Sequence, residues 1–246
     1  MNHSLKQRVK QTLVDLACRH LGLYPDPPSR VSALNHPIGL IRDLELKCRG
    51  VIHVGANIGQ EFRAYRRAGL DSVVYIEPIP SVFATLKQRI SVDERHRAIN
   101  ALCTDREGDE VDFHVAANDG ESSSILEFGT HAQNHPEVTY VSKLRLRTTT
   151  LDRIIFETPS IDTRLLDCLV LDFQGAEAKV LAGANRTLGL CRFVFAEISE
   201  GGVYKGDAPF EQIIDMLRPY GFALKSLDIN RFGWGNAFFV KSPAAT

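Results

Sequence analysis

The chain has 246 residues, 44% of them hydrophobic and 24% charged, and a formal net charge of −1. That length suits one α/β unit, and the balance is that of an ordinary globular protein. Lys and Arg are spread along the chain, which excludes a polyanion-binding surface; nucleic acid is not expected as a partner.

Residues 1–23 carry apolar positions at helical spacing (Leu5, Val9, Leu13, Leu16), interrupted by Lys6, Arg8, Lys10 and Asp15, and read as one amphipathic helix. Three prolines between Pro25 and Pro28 end it. Residues 1–47 are expected to form an N-terminal helical extension, with a short helix near 37–46, and 48–246 the main domain. The pattern then alternates: strand 51–54, helix 60–68, strand 72–77, helix 80–91 with Ser81 as N-cap, strand 97–103. This is the rhythm of right-handed βαβ units and a parallel sheet. Residues 105–150 depart from it and read as an inserted β-hairpin with a long loop. Winding resumes with a buried strand over 169–172, helix 175–188, strand 192–197 and helix 209–219. Two strands, near 222–229 and 236–241, close the chain as an antiparallel pair. The fold class is therefore α/β and Rossmann-like, with a mostly parallel seven-stranded sheet. No apolar stretch is long enough to span a membrane. The cysteines Cys18, Cys48, Cys103, Cys168 and Cys191 lack CxxC spacing and read as reduced, mostly buried residues of a cytoplasmic protein.

The most informative stretch is Val51-Ile-His-Val-Gly-Ala-Asn-Ile-Gly-Gln-Glu61. A strand enters a glycine turn and a helix follows at once. Gly55, Asn57 and Gly59 tolerate the positive φ such a turn demands, and free N–H groups at the helix start would face an anionic part of a ligand. Eighteen residues after Gly59, strand 72–77 ends on Glu77, placed to accept hydrogen bonds from ribose hydroxyls. Ligands in such sheets lie beyond the carboxyl ends of the strands, so Gly55–Gly59, Glu77, Asp172 and Glu197 should meet at one edge. Glu177, in a first helical turn, suits either the helix dipole or a substrate. Ser122–Ser124 lack a His-Asp partner signature for nucleophilic catalysis. His131 and His135 lie in a loop without a third ligand nearby, and no metal site is expected. His53 sits within the first strand as a packed residue bordering the turn.

The cofactor is narrowed by what is missing. Gly-x-Asn-x-Gly lacks the third glycine of a pyrophosphate fingerprint, Tyr140 and Lys143 have the wrong spacing for a short-chain dehydrogenase, and no P-loop is present. S-adenosylmethionine fits better. A nicotinamide-dependent oxidoreductase and a non-catalytic Rossmann-like module stay open as alternatives.

The stretches VIHVGANIGQE, VVYIEPIP, SSSIL, TTTLDRII, LVLDFQGAEAKVLAGA, FAEISEGGVYKG and INRFGWGNAFFV, spread over about residues 48 to 241, together resemble the FkbM-type family of S-adenosylmethionine-dependent methyltransferases. One departure is His53, where relatives often carry an acid. The resemblance implies methyl transfer to oxygen, on a hydroxyl of a sugar, glycan or polyketide-like natural product. Asp172 is then the first choice for the base and Glu197 the second, with Glu177 orienting the acceptor. His53, Gly55, Ala56, Asn57, Gly59, Glu77, Pro78 and Asp172 would hold the methyl donor, and Asn100 and Ala101 its adenine. Ser123, Ser124, Glu200 and Tyr204, on loops 118–126 and 200–206, would contact the acceptor. A small-molecule or glycan acceptor is the expected partner, and a homodimer is compatible with the sequence.

Overall fold

A computed structural model of the chain describes residues 37–242. The helix expected over 1–23, and Cys18 with it, lie outside the described residues. Seven strands form one sheet: β1 (Gly50–Val54), β2 (Ser72–Ile76), β3 (His96–Ile99), β7 (Cys168–Leu171), β8 (Phe193–Ser199), β9 (Phe222–Ile229) and β10 (Trp234–Lys241). Their order is β3-β2-β1-β7-β8-β10-β9. Neighbours are parallel except where β10 runs antiparallel to both β8 and β9. This is the Rossmann-like, mostly parallel seven-stranded sheet that the sequence rhythm implies. The chain winds outward from β1 on one side, then reverses past it to β7, so β1 and β7 flank the switch point where such sheets bind ligands.

β1 is buried at every position, as in a sheet covered on both faces. Ile52 and Val54 point into one core layer with Leu169, Leu171, Val194 and Ala196. Val51 points into the other with Tyr65, Tyr75, Val170 and Phe193. Helices α1 (Pro37–Asp43), α2 (Phe62–Ala68) and α3 (Pro80–Ile90) supply Leu40, Ile41, Tyr65 and Leu86 to this second layer. Truncating one of these large side chains to Ala should cost about 2–5 kcal/mol. Among the described residues no helix is long and apolar enough to cross a membrane.

Several elements differ from expectation for identifiable reasons. Helix α3 starts one residue before Ser81, on Pro80, because the fixed φ of proline suits a first helical position; the residue at the N-cap is Ile79. The strand expected over 97–103 breaks at Asn100. Its second half, β4 (Leu102–Cys103), leaves the main sheet and joins a smaller one, where β6 (Tyr140–Thr149) lies between it and β5 (Glu110–Ala116). β5 and β6 are the inserted antiparallel hairpin, and their long connection holds a helical turn, α4 (His131–Asn134). Helix α5 (Leu151–Glu157) has no counterpart in the sequence reading, although the Thr150 hydroxyl caps it by accepting from the Arg153 N–H at 3.2 Å. The helix expected over 175–188 is two: α6 (Glu177–Ala182) and α7 (Asn185–Leu190). They part at Gly183, where a Cβ would lie 2.3 Å from the Thr104 carbonyl oxygen. β8 continues past Glu197 to Ser199 because β10 pairs with it as far as Trp234, so Glu197 lies within the strand and not at its end. α8 (Phe210–Leu217) buries Phe210, Ile213 and Leu217 along one helical stripe.

Candidate active site

The turn after β1 is closed on itself. Gly55, Asn57 and Gly59 have φ of 81°, 43° and 75°. Gly55 is doubly constrained, since a Cβ there would lie 1.7 Å from the Asp172 carbonyl oxygen. A Cβ on Gly59 would meet Leu86 of α3 at 2.7 Å. Both glycines thus serve close approach of the chain to itself. Each N–H of the turn is already taken. Gly55 and Ala56 donate to the Ile76 carbonyl, Asn57 to Glu77 Oε2, Ile58 to Asn57 Oδ1, and Gly59 to the Ala56 carbonyl. The N–H groups of residues 55–59 are thus spent on the end of β2, on Glu77 and within the turn itself.

Glu77 follows β2 and is 4% exposed. Its Oε2 accepts from the Asn57 N–H at 2.9 Å and its Oε1 from the Ile79 N–H at 2.8 Å. Burial pushes its pKa up to about 7, against the pull of those two bonds. An ionised carboxylate offers about four acceptor positions, so each oxygen keeps room for one more donor. Asn100 does not line the cavity described below. Its amide donates to the carbonyls of Glu77 at 2.8 Å and Pro78 at 3.0 Å, and so holds the end of β2 in place. Ala101 also lies outside that wall.

Asp172 and Glu197 meet through Gln174, a residue to which sequence reasoning assigned no role. Gln174 Nε2 donates to Asp172 Oδ1 at 2.7 Å and to Glu197 Oε2 at 2.9 Å, and its Oε1 accepts from the Tyr204 hydroxyl at 2.7 Å. To reach both acids Gln174 adopts φ 52°, a region costly for a residue with a Cβ. Glu177 fixes the same turn from the other side, its Oε1 accepting from the N–H groups of Phe173 at 2.8 Å and Gly175 at 3.3 Å. Burial pushes the Glu177 pKa up to about 7. One of its oxygens is therefore engaged in building the turn. Ser124 Oγ donates to the Gln174 carbonyl at 2.8 Å, which places Ser124 behind the turn and outside the wall.

The two acids titrate together. Desolvation raises the Glu197 pKa well above the usual carboxylate range, and the neighbouring Asp172 charge raises it further. Asp172 opens onto the cavity; desolvation raises its pKa while the Gln174 hydrogen bond opposes the rise. Glu197 thus holds the proton and Asp172 the charge. Burial lowers the His53 pKa to about 4, so its imidazole is neutral, with Nδ1 3.2 Å from the Tyr65 hydroxyl.

A raised carboxylate pKa stabilises the fold fully below the unfolded value and loses that contribution as pH rises toward the folded one. Glu197→Gln, neutral at every pH, should match the parent's stability near pH 4, below the unfolded carboxylate value, and exceed it at pH 8. For this half-buried group the difference is on the order of 1 kcal/mol, or about 2–4 °C in Tm by scanning calorimetry. Equal melting temperatures at both pH values would remove the shared proton.

These groups share one cavity of about 420 Å³. Its wall includes His53, Gly55, Ala56, Asn57, Glu77 and Pro78 from the β1–β2 side. Asp172, Gln174, Glu177, Glu197, Ser123 and Tyr204 also line it. Gly59 and Glu200 lie outside. Asp207, unremarked in the sequence, ties down the loop carrying Tyr204. Its carboxylate accepts from the Ser199 hydroxyl and from the N–H groups of Gly202, Val203 and Tyr204 at 2.6–3.3 Å.

The methyltransferase FkbM domain family matches residues 53–224, well over half of the chain. The chain belongs to the FkbM methyltransferase family. This membership makes it a methyltransferase and sets aside the oxidoreductase and non-catalytic readings. A curated relative, the 2-O-methyltransferase NoeI of Sinorhizobium fredii, is 28% identical over 174 residues, 68% of this chain and 70% of that protein. Among solved structures, the methyltransferase domain of bacterial CtHen1-C is 10% identical at a TM-score of 0.47, covering 84% of this chain and 95% of that one. Magnesium protoporphyrin IX methyltransferase of Synechocystis PCC 6803 with bound SAH is 12% identical at a TM-score of 0.45, covering 91% and 93%. In this FkbM methyltransferase the acids at the sheet edge are thus seated in the family-matched segment, with Gln174 between them.

Proposed function

We propose that the chain is an S-adenosylmethionine-dependent O-methyltransferase acting on a hydroxyl of a sugar, glycan or related natural product. The observation that carries the reading is the Asp172–Gln174–Glu197 constellation on the same cavity wall as the anchored Glu77. The residues present fit the donor. Glu77 has acceptor capacity left on both oxygens for a vicinal diol. No Lys or Arg is among the described residues of the wall, which suits a sulfonium cation. The 2-O specificity in the name of the relative NoeI supports oxygen as the atom methylated.

When bound, S-adenosylmethionine supplies an activated methyl group. The rest falls to the chain. Glu77 holds the ribose, and Gly55, Ala56 and Asn57 shape the wall beside it. Asp172 takes the proton of the acceptor hydroxyl as the new C–O bond forms. Gln174 orients Asp172, and Glu197, holding its own proton, keeps the pair at a single negative charge. Ser123 and Tyr204 border the acceptor side.

The test uses donor labelled in the methyl group and a mixture of neutral methyl glycosides and hexuronic acids. Label should enter a product that resists mild alkali, as a methyl ether does. Label released as methanol would indicate an ester and contradict transfer to a hydroxyl.

A further inference from the structure

On the reading just proposed, the acceptor must share the cavity with the donor, and the wall restricts its charge. Seven carboxylate side chains and three histidines border the cavity, with no Lys or Arg among its described residues. Burial lowers the pKa of two of those histidines, His53 and His131, so neither offers a fixed positive charge near neutral pH. The donor's carboxylate is accompanied by the donor's own ammonium and sulfonium; a further phosphate or carboxylate on the acceptor would lose its hydration without gaining a cationic side chain among the described residues of the wall.

A second observation concerns how a neutral acceptor would be gripped. His131 begins α4, lines the cavity and is 8% exposed. Its ring lies flat on Phe128, centroids 4.3 Å apart at 9°, with Tyr204 and His135 at 5.6 and 5.2 Å. Tyr140 stacks on the far side of the group at 3.9 Å from Phe128. The buried Nδ1 of this imidazole has no hydrogen-bond partner. A buried polar atom without a partner is costly, and its persistence on a cavity wall calls for a use. A half-turn of the ring exchanges Nδ1 with Cδ2 and presents a nitrogen at either edge.

We propose that the acceptor is uncharged and polyhydroxylated, and that His131 recognises it by a hydrogen bond from a ring nitrogen to an acceptor hydroxyl other than the one methylated. Sugar phosphates, hexuronic acids and nucleotide sugars are then excluded by the wall. His131 positions the acceptor and takes no part in moving the reacting proton.

Methyl-labelled donor is offered with an equimolar mixture of methyl glycosides, hexose phosphates, hexuronic acids and UDP-sugars; unreacted donor is removed on a cation exchanger, methyl esters are cleaved by mild alkali, and the remaining products are separated on an anion exchanger. The expected result is label in the unretained, neutral fraction, at least tenfold above the retained one. Predominant label in the retained fraction overturns the inference while leaving the methyltransferase reading intact. Absence of transfer to every class, in protein shown by calorimetry to bind the donor, overturns both. His131→Phe preserves the stack on Phe128. It should raise the acceptor KM about tenfold or more while kcat, donor Kd and Tm hold or Tm rises; His131→Gln should recover part of the loss. An unchanged acceptor KM in His131→Phe removes the residue from recognition.

Discussion

Asp172→Asn is expected to lower kcat about 10²- to 10⁴-fold, the usual contribution of a positioned general base. The side chain opens onto the cavity while Gln174 Nε2 holds its Oδ1 at 2.7 Å. Asn keeps that oxygen and the shape of the site but cannot accept the hydroxyl proton. Donor affinity should change by less than about threefold, because a loss confined to the transition state leaves ground-state binding alone. Glu197→Gln should cost far less, since Gln is uncharged like the protonated Glu197 it replaces. Steady-state kinetics beside calorimetric titration distinguish the two acids. Parental turnover in Asp172→Asn would remove it as the base, and a larger loss in Glu197→Gln would transfer the role to Glu197.

Glu77→Ala should weaken S-adenosylmethionine binding about 100-fold. Hydrogen bonds to a charged group contribute about 1.5–3 kcal/mol each, and the loss of one or two such bonds reaches that factor. Part of the loss would come through the protein itself. The N–H groups of Asn57 and Ile79 would lose the carboxylate that now organises the glycine turn. Glu77→Gln separates the two effects: it keeps one acceptor oxygen and should fall between parent and Ala in calorimetry. Unaltered affinity in Glu77→Ala would place the ribose elsewhere.

What could be read from the sequence follows from which signals are local. Strand-and-helix alternation is written in runs such as Val51–Val54 and Ser72–Ile76, whose burial at every position is a composition effect. The antiparallel hairpin of β5 and β6 showed through the departure of residues 105–150 from that alternation. Positions set by partners far along the chain were less visible. β8 runs on to Ser199 only because β10 pairs with it, so Glu197 was placed at a strand end it does not occupy. Asn100 reads as a ligand contact by position, yet it spends its amide on two carbonyls of the neighbouring strand's end. Gln174 stands inside the stretch LVLDFQGAEAKVLAGA, and nothing local says that its amide joins acids 2 and 23 residues away. Its one local signal is a non-glycine residue before Gly175 in a tight strand-to-helix turn. The glycines of the first turn were legible as a turn, but their reason is the Asp172 carbonyl and Leu86 side chain pressed against them.

Calorimetric titration of the unmodified chain with S-adenosylmethionine and, separately, with NADH distinguishes a methyl-donor site from a dinucleotide site. The anchored Glu77 and the cation-free described wall predict a saturating one-to-one binding isotherm with S-adenosylmethionine and no measurable heat with NADH. Saturable binding of NADH with none of S-adenosylmethionine would mean that the cavity is built for a dinucleotide.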